Sequence, residues 1–133
     1  MKRMAVLLLI IAILLSGCVE EETQNQYVFT EADNGRTVSF ENGTIFYINL
    51  SENPSTGYSW EIELSPGFTL LNSTYSEKQV SEDAKPLLGA SGLRTWKIKA
   101  DSKGNKQIKG IYKRSWEEET GTEDNFTLNI EVT

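Results

Sequence analysis

The chain has 133 residues, with 13 basic and 19 acidic side chains, no histidine, a single cysteine and a formal charge of −6. Without imidazole, Ser-His and Cys-His nucleophilic systems and histidine-ligated metal sites are excluded, and the negative balance argues against nucleic acid as a partner. No glycine-rich phosphate loop or dinucleotide fingerprint is present, and most of the carboxylates fall in loops or at exposed strand positions, so the chain reads as a non-enzyme needing no cofactor or metal.

Lys2 and Arg3 precede the apolar run Ala5 to Leu15, and Leu15-Ser16-Gly17-Cys18 closes that run with small residues before the lone cysteine. These are the parts of a secretory signal, and the run is too short for a membrane-spanning helix of about 20 residues. Its ending looks like a prokaryotic lipoprotein box. Residues 1–17 are then a signal peptide, 18–26 a lipid-bearing Cys18 with a polar tether, and 27–133 the folded domain. The expected location is the outer face of the cytoplasmic membrane or the cell surface, with the membrane reached through the N-terminal lipid. An uncleaved signal anchor with an incidental cysteine is the plainer alternative. Loss of Lys2 and Arg3 leaves 11 basic residues against 19 acidic ones, a formal charge of −8. With no second cysteine the domain has no internal disulfide, so its core must hold it. A mature chain of about 115 residues suffices for one domain, read here as a monomer.

From Tyr27 onward, short strand patterns alternate with turn residues and no segment keeps a helical period. Tyr27 to Thr30 and Thr37 to Phe40 are separated by Asp33-Asn34-Gly35, a strong turn signal. After Asn42-Gly43, the run Thr44 to Leu50 puts Phe46, Ile48 and Leu50 on one face. Asn53-Pro54-Ser55-Thr56-Gly57 follows. Pro54 fixes its own φ, restricts Asn53 to extended geometry, and Gly57 can take positive φ without strain, which together force a rigid turn with a small hydroxyl at its tip. Behind it, Tyr58, Trp60, Ile62 and Leu64 alternate with Ser59, Glu61 and Glu63 as a half-buried strand, with Trp60 expected in the core and Tyr58 open between core support and surface contact. Phe68 to Leu71 and Thr74 to Val80 form a poorly patterned edge. Leu93 to Ala100 presents Trp96 and Ile98 on one side. Gln107 to Lys113 is a further strand, and Phe126, Leu128, Ile130 and Val132 close the chain in strict alternation. Seven to eight such strands predict an all-β, immunoglobulin-like β-sandwich, in which alternate connections emerge at the same end.

Three of those connections stand out. They are Asn53 to Tyr58 with Trp60 behind it, Leu87-Leu88-Gly89-Ala90-Ser91-Gly92, and Tyr112-Lys113-Arg114-Ser115-Trp116. Together they resemble the chagasin-type inhibitors of papain-family cysteine proteases. There the corresponding elements read Asn-Pro-Thr-Thr-Gly followed by an aromatic and a Trp, then a Leu-Leu-Gly-Ala-Gly-Gly-like loop, then Arg-Pro-Trp, in this order along one immunoglobulin-like domain. The resemblance spans residues 27 to 133. Ser55 stands where the family usually has Thr. Ser91 replaces a Gly, so its Cβ would strain any left-handed backbone there. Ser115 replaces the Pro, which leaves the third loop less pre-ordered.

The resemblance implies a reversible, tight-binding inhibitor with no catalytic residue. Asn53, Pro54, Ser55, Thr56, Gly57 and Tyr58 would enter the protease cleft, with Thr56 against the catalytic cysteine and histidine. Leu87, Leu88, Gly89, Ala90, Ser91 and Gly92 would cover the non-primed side. Trp116 would stack on the primed side while Arg114 contacts the rim. Plainer readings stand beside these: Leu87 and Leu88 can pack under their own loop, and Glu117, Glu118, Glu119, Glu123 and Asp124 form either a weak Ca²⁺ site or a solvated turn. A surface adhesion or carbohydrate-binding module is the rival function, since Tyr and Trp also stack on sugars. Asn42, Asn49, Asn72 and Asn125 begin glycosylation sequons, a short pattern with a high chance rate.

Overall fold

The structure is a computed structural model and describes residues 26–77 and 91–133. The expected signal peptide, Cys18, nearly all of the tether, and Leu87, Leu88, Gly89 and Ala90 lie outside the described residues.

Eight strands form two four-stranded sheets among the described residues: β1 (Tyr27–Phe29), β2 (Thr37–Phe40), β3 (Ile45–Glu52), β4 (Tyr58–Leu64), β5 (Phe68–Ser76), β6 (Gly92–Ala100), β7 (Gly104–Arg114) and β8 (Asp124–Val132). One sheet runs β1-β3-β6-β5 and the other β2-β8-β7-β4. This is the sandwich expected from the alternating runs. Phe46, Ile48 and Leu50 of β3, Trp96, Ile98 and Ala100 of β6, and Phe126, Leu128, Ile130 and Val132 of β8 are all buried between the sheets. Their inward faces supply the apolar area whose removal from water drives folding.

Two strands at the start of the domain depart from a simple hairpin. Thr30 caps a short 3₁₀ turn at Glu31–Asp33: its hydroxyl accepts from the Ala32 N–H while the Asp33 carboxylate accepts from the Thr30 N–H at 2.8 Å. That capping box swings the chain from one sheet to the other. Consequently β1 pairs in parallel with β3, Tyr27 opposite Phe46, and β2 pairs in parallel with β8, Thr37 opposite Asn129. The edge between Phe68 and Ser76 is one strand, not two, and its register shifts between Leu70 and Asn72. Such an irregularity flips the inward and outward sides midway, which is why the sequence there shows no clean alternation. Strand β7 also begins three residues earlier than the alternation suggests, at Gly104 rather than Gln107, carried by its antiparallel pairing with β8.

The end of the core away from the β3–β4 connection is a phenylalanine cluster. Phe46 lies 5.0 Å from Phe40, 5.7 Å from Phe68 and 6.0 Å from Phe29, ring centre to ring centre. Phe46→Ala should cost about 3–5 kcal/mol by emptying this site, a large share of a small domain's stability, and should move the urea midpoint accordingly. A midpoint within experimental error of wild type would show that Phe46 is not the centre of the cluster.

Candidate inhibitory edge

The strand registers fix which connections share an end of the sandwich. Glu52, the last residue of β3, pairs with Gly92, the first of β6. Ser76, the last of β5, pairs with Leu93. In the other sheet, Tyr58 at the start of β4 pairs with Arg114 at the end of β7, and Asp124 at the start of β8 pairs with Tyr112. With Asn53 bonded to Tyr112 and Trp60 to Glu52 across the sheets, the strand ends that flank the β3–β4, β5–β6 and β7–β8 connections therefore all lie at one pole, as the sequence pattern predicts.

The first loop is rigid through bonds of its own. Asn53 is extended (φ −123°, ψ 90°), and its Oδ1 accepts from the N–H and the hydroxyl of Ser55, at 3.2 and 2.6 Å. Pro54–Thr56 forms one 3₁₀ turn, with proline at a position where its missing N–H costs nothing. The Thr56 hydroxyl donates to the Asn53 carbonyl at 2.8 Å, and the Gly57 N–H donates to the Pro54 carbonyl at 3.0 Å. Gly57 closes the turn at φ +78°, left-handed as expected.

The third loop braces the first. Arg114 and Glu117 close a turn, with the Glu117 N–H donating to the Arg114 carbonyl at 3.2 Å. The Arg114 guanidinium lies 4.6 Å over the Tyr58 ring, and its Nε donates to the Thr56 carbonyl at 3.1 Å. Arg114 thus braces the first loop while its guanidinium stays partly exposed at the edge. Trp116 is 70% exposed, and the benzo part of its indole lies against Gly57, where any Cβ would collide with it. Glycine at 57 is therefore favoured by the backbone angle, and any side chain there would also push the Trp116 ring off its seat.

Beneath the loops the inward faces change character. Tyr58 and Tyr112 pack with ring centres 5.4 Å apart and Trp60 and Tyr112 with theirs 5.1 Å apart, both pairs tilted, so the half-buried Tyr58 supports the first loop. The Tyr112 hydroxyl accepts from the Asn53 N–H at 2.9 Å. Trp60 is only half-buried at the margin of the core, its indole N–H donating to the Ser51 carbonyl at 2.9 Å, and the fully buried tryptophan is Trp96. At the second connection, Ser91 and Gly92 are described. No non-glycine residue described has positive φ, so the strain expected from the Ser91 Cβ does not arise. Gly92 is needed for space, because a Cβ there would run into the Tyr75 hydroxyl and the Ser76 carbonyl.

Sequence reading missed Glu52 and Arg94, and it named Tyr112 in the third connection without its role beneath the first loop. Glu52 is 1% exposed, on the face it shares with Phe46, Ile48 and Leu50, and Arg94 sits on the face of Trp96 and Ile98. Opposite charges at core-facing positions of paired strands were the available signal. In the β7–β8 connection, the N–H of Thr120 foremost, then the backbone N–H of Glu123 itself, the Thr120 hydroxyl and the Gly121 N–H, hold the pKa of the Glu123 carboxyl down at about 2. Glu123 thus organises its own turn. Among the described residues no group of acidic side chains is arranged to hold a metal ion, and no helix is long and apolar enough to cross a membrane.

An all-β sandwich with a Pro-Gly wedge and an exposed tryptophan at one pole is the build of a protein that binds through loops. Residues 39–130 match the family described as chagasin family peptidase inhibitor I42, and the chain belongs to that family. It is 29% identical to chagasin of Trypanosoma cruzi over 107 residues, 77% of this chain and 94% of that protein. It is 30% identical to amoebiasin-1 of Entamoeba histolytica over 103 residues, 77% of this chain and 96% of that one. In three dimensions it is similar to the crystal structure of a cysteine protease inhibitor from Entamoeba histolytica, with a TM-score of 0.70 and 27% identity over 80% of this chain and 95% of the other. The chain is a peptidase inhibitor and not an enzyme.

Gly57→Val should both force a β-branched residue to positive φ and displace the Trp116 ring. An inhibition constant raised by about tenfold or more, with a folded far-UV spectrum, is the expected result. Unaltered potency would show that neither the turn nor the ring position matters.

Proposed function

We propose that this protein is a reversible, tight-binding inhibitor of papain-like cysteine proteases, and that it obstructs the active-site cleft with its first and third loops as one piece. The observation that carries this reading is the bracing of Asn53–Gly57 by Arg114 and Trp116 in the free protein. Chagasin-family membership and the likeness to a cysteine protease inhibitor from Entamoeba support it.

The wedge resists cleavage for a geometric reason. Acylation needs the attacked carbonyl about 3–3.5 Å from the nucleophile, with its oxygen turned to the oxyanion donors. Here the carbonyl of Asn53 accepts from Thr56, that of Pro54 from the Gly57 N–H, and that of Thr56 from Arg114. Presenting any of them productively would break these bonds and unwind the 3₁₀ turn. The small Thr56 side chain lets this backbone approach the catalytic cysteine and histidine without reacting.

Trp116 supplies the apolar anchor on the primed side. It projects from the edge with its face open while its rim rests on Gly57, so little freedom is lost when a partner covers it. In the same reading Leu87, Leu88, Gly89 and Ala90 cover the non-primed side. An interface of about 800 Å² per partner is sufficient for tight binding when the anchors are pre-ordered. Residues 1–17 export the chain and Cys18 carries the lipid that holds it at the membrane, with the acidic tether as spacer. No finding favours adhesion or sugar binding.

The direct test is titration of papain-like proteases with the purified protein, following residual activity and the integrity of residues 53–60. Stoichiometric loss of activity with the segment intact is expected, and no inhibition at micromolar concentration across the panel would end the proposal. Trp116→Ala should weaken inhibition by about 2 kcal/mol or more, roughly 30-fold, with the melting temperature nearly unchanged. Unchanged inhibition would remove its anchor role. Ser115 is the second residue of the Arg114–Glu117 turn, where proline is favoured. Ser115→Pro should therefore tighten binding by a few tenths to about 1 kcal/mol through pre-ordering, and a weaker complex would show that this turn has its own geometry.

A further inference from the structure

Glu52 is the one buried polar or charged residue among those described, and the blocking mechanism above does not use it. Its carboxylate is held by three N–H groups. Oε2 accepts from the backbone N–H of Trp60 at 3.0 Å, and Oε1 accepts from Nε and Nη2 of Arg94 at 3.1 and 2.7 Å. An isolated carboxylate at this depth would be strongly disfavoured, so the fork of Arg94 and the amide of Trp60 are what permit it there.

What these partners belong to matters more than how many there are. Glu52 is the last residue of β3 and Trp60 lies in β4, in the opposite sheet, so this hydrogen bond closes the base of the first loop across the sandwich. The indole of Trp60, bonded to the Ser51 carbonyl, seals the same base a second time. Arg94 belongs to the strand that leaves the second connection, and its guanidinium lies 5.5 Å over the ring of Tyr75, on the strand that enters it. Gly92 packs against the Tyr75 hydroxyl and the Ser76 carbonyl. One carboxylate therefore touches both flanks of the first loop directly and both flanks of the second through Arg94. We infer that Glu52 is a positioning residue, which locks the base of the first loop to the strand ends flanking the second connection and so holds the first loop in the geometry that enters a protease cleft. This rests on the inhibitor reading given above.

A stabilising ion pair with no positioning role would affect melting but leave the folded protein's potency and loop protection intact. Glu52→Gln separates the two roles. Its single carbonyl oxygen can serve Trp60 or Arg94 but not both, and its amide then faces a donor. In the full chain at 25 °C, the amides of Trp60 and of Ser55 to Gly57 should exchange about tenfold faster or more, and the inhibition constant for papain should rise by about tenfold or more. Prolonged incubation with papain should then cut the first loop. Arg94→Lys, which keeps the charge but loses the fork, should give a smaller change in the same direction. Ile130→Val, a core change outside the loops, is the control: lowered melting with wild-type potency and exchange. If Glu52→Gln keeps wild-type exchange and inhibits papain within about twofold, or if Ile130→Val reproduces its losses, the positioning role is overturned. Should Glu52→Gln not fold, Arg94→Lys decides by the same readouts. Failure of the wild-type protein to inhibit papain counts against the inhibitor reading alone, because the exchange measured on the free protein still upholds or overturns the role of Glu52.

Discussion

The register of β4 against β7 is the constraint from which the inhibitory edge follows. With Tyr58 opposite Arg114, the guanidinium falls over the phenol and within reach of the Thr56 carbonyl, and Trp116, two residues further on, comes down on Gly57. A slip of one residue would turn Glu61 and Glu63 inward and Trp60, Ile62 and Leu64 outward, which the apolar core cannot accept. The hydrophobic pattern of a strand thus dictates, at a distance, the contact between two loops. Neither loop sequence specifies that contact alone.

Stiffness here is obtained without a covalent staple. The described domain contains no cysteine, so the order of the first loop has to come from short-range hydrogen bonds and from the bases on which it stands. Asn53 shows how this is done: its backbone N–H is taken by Tyr112 below, its carbonyl by Thr56 within the turn, and its side-chain oxygen by Ser55. Each such bond is worth only about 1 kcal/mol net, but together they remove alternatives that would otherwise be lost on binding. The exposed pair of Arg114 and Glu117, at 3.2 Å, adds little by comparison, since solvent screens it.

Much of this was legible in the sequence, for identifiable reasons. Strict period-2 runs such as Phe126 to Val132 and Phe46 to Leu50 report burial directly, because side chains alternate faces in a strand. Pro54 and Gly57 announce the turn through their backbone restrictions, and the structure supplies both the 3₁₀ geometry and the positive φ. What escaped was non-local. Whether Asp33-Asn34-Gly35 closes a hairpin or carries the chain between sheets depends on the capping box at Thr30 and on pairings with β3 and β8, tens of residues away. The unity of β5 was hidden by its register shift. Glu52 was hidden by a sound rule, that charged residues are seldom fully buried, which fails only where a partner such as Arg94 waits across the strand pair.

The two poles of the sandwich are built from different chemistry, and the difference separates stability from recognition. Phe29, Phe40, Phe46 and Phe68 crowd the end away from the loops, where nothing but area and packing is asked of them. Toward the loop end the inward positions become Trp60, Tyr112, Tyr58, Glu52 and Arg94, groups with an apolar body and a directional donor or acceptor. Aliphatic side chains there would fill the space equally well but would leave the main-chain N–H of Asn53 and Trp60 without partners beneath the loop. Directional groups accept those N–H bonds and so convert the rigidity of the core into rigidity of the edge. A substitution at the exposed tip can therefore change what the edge fits while the phenylalanine pole keeps the chain folded.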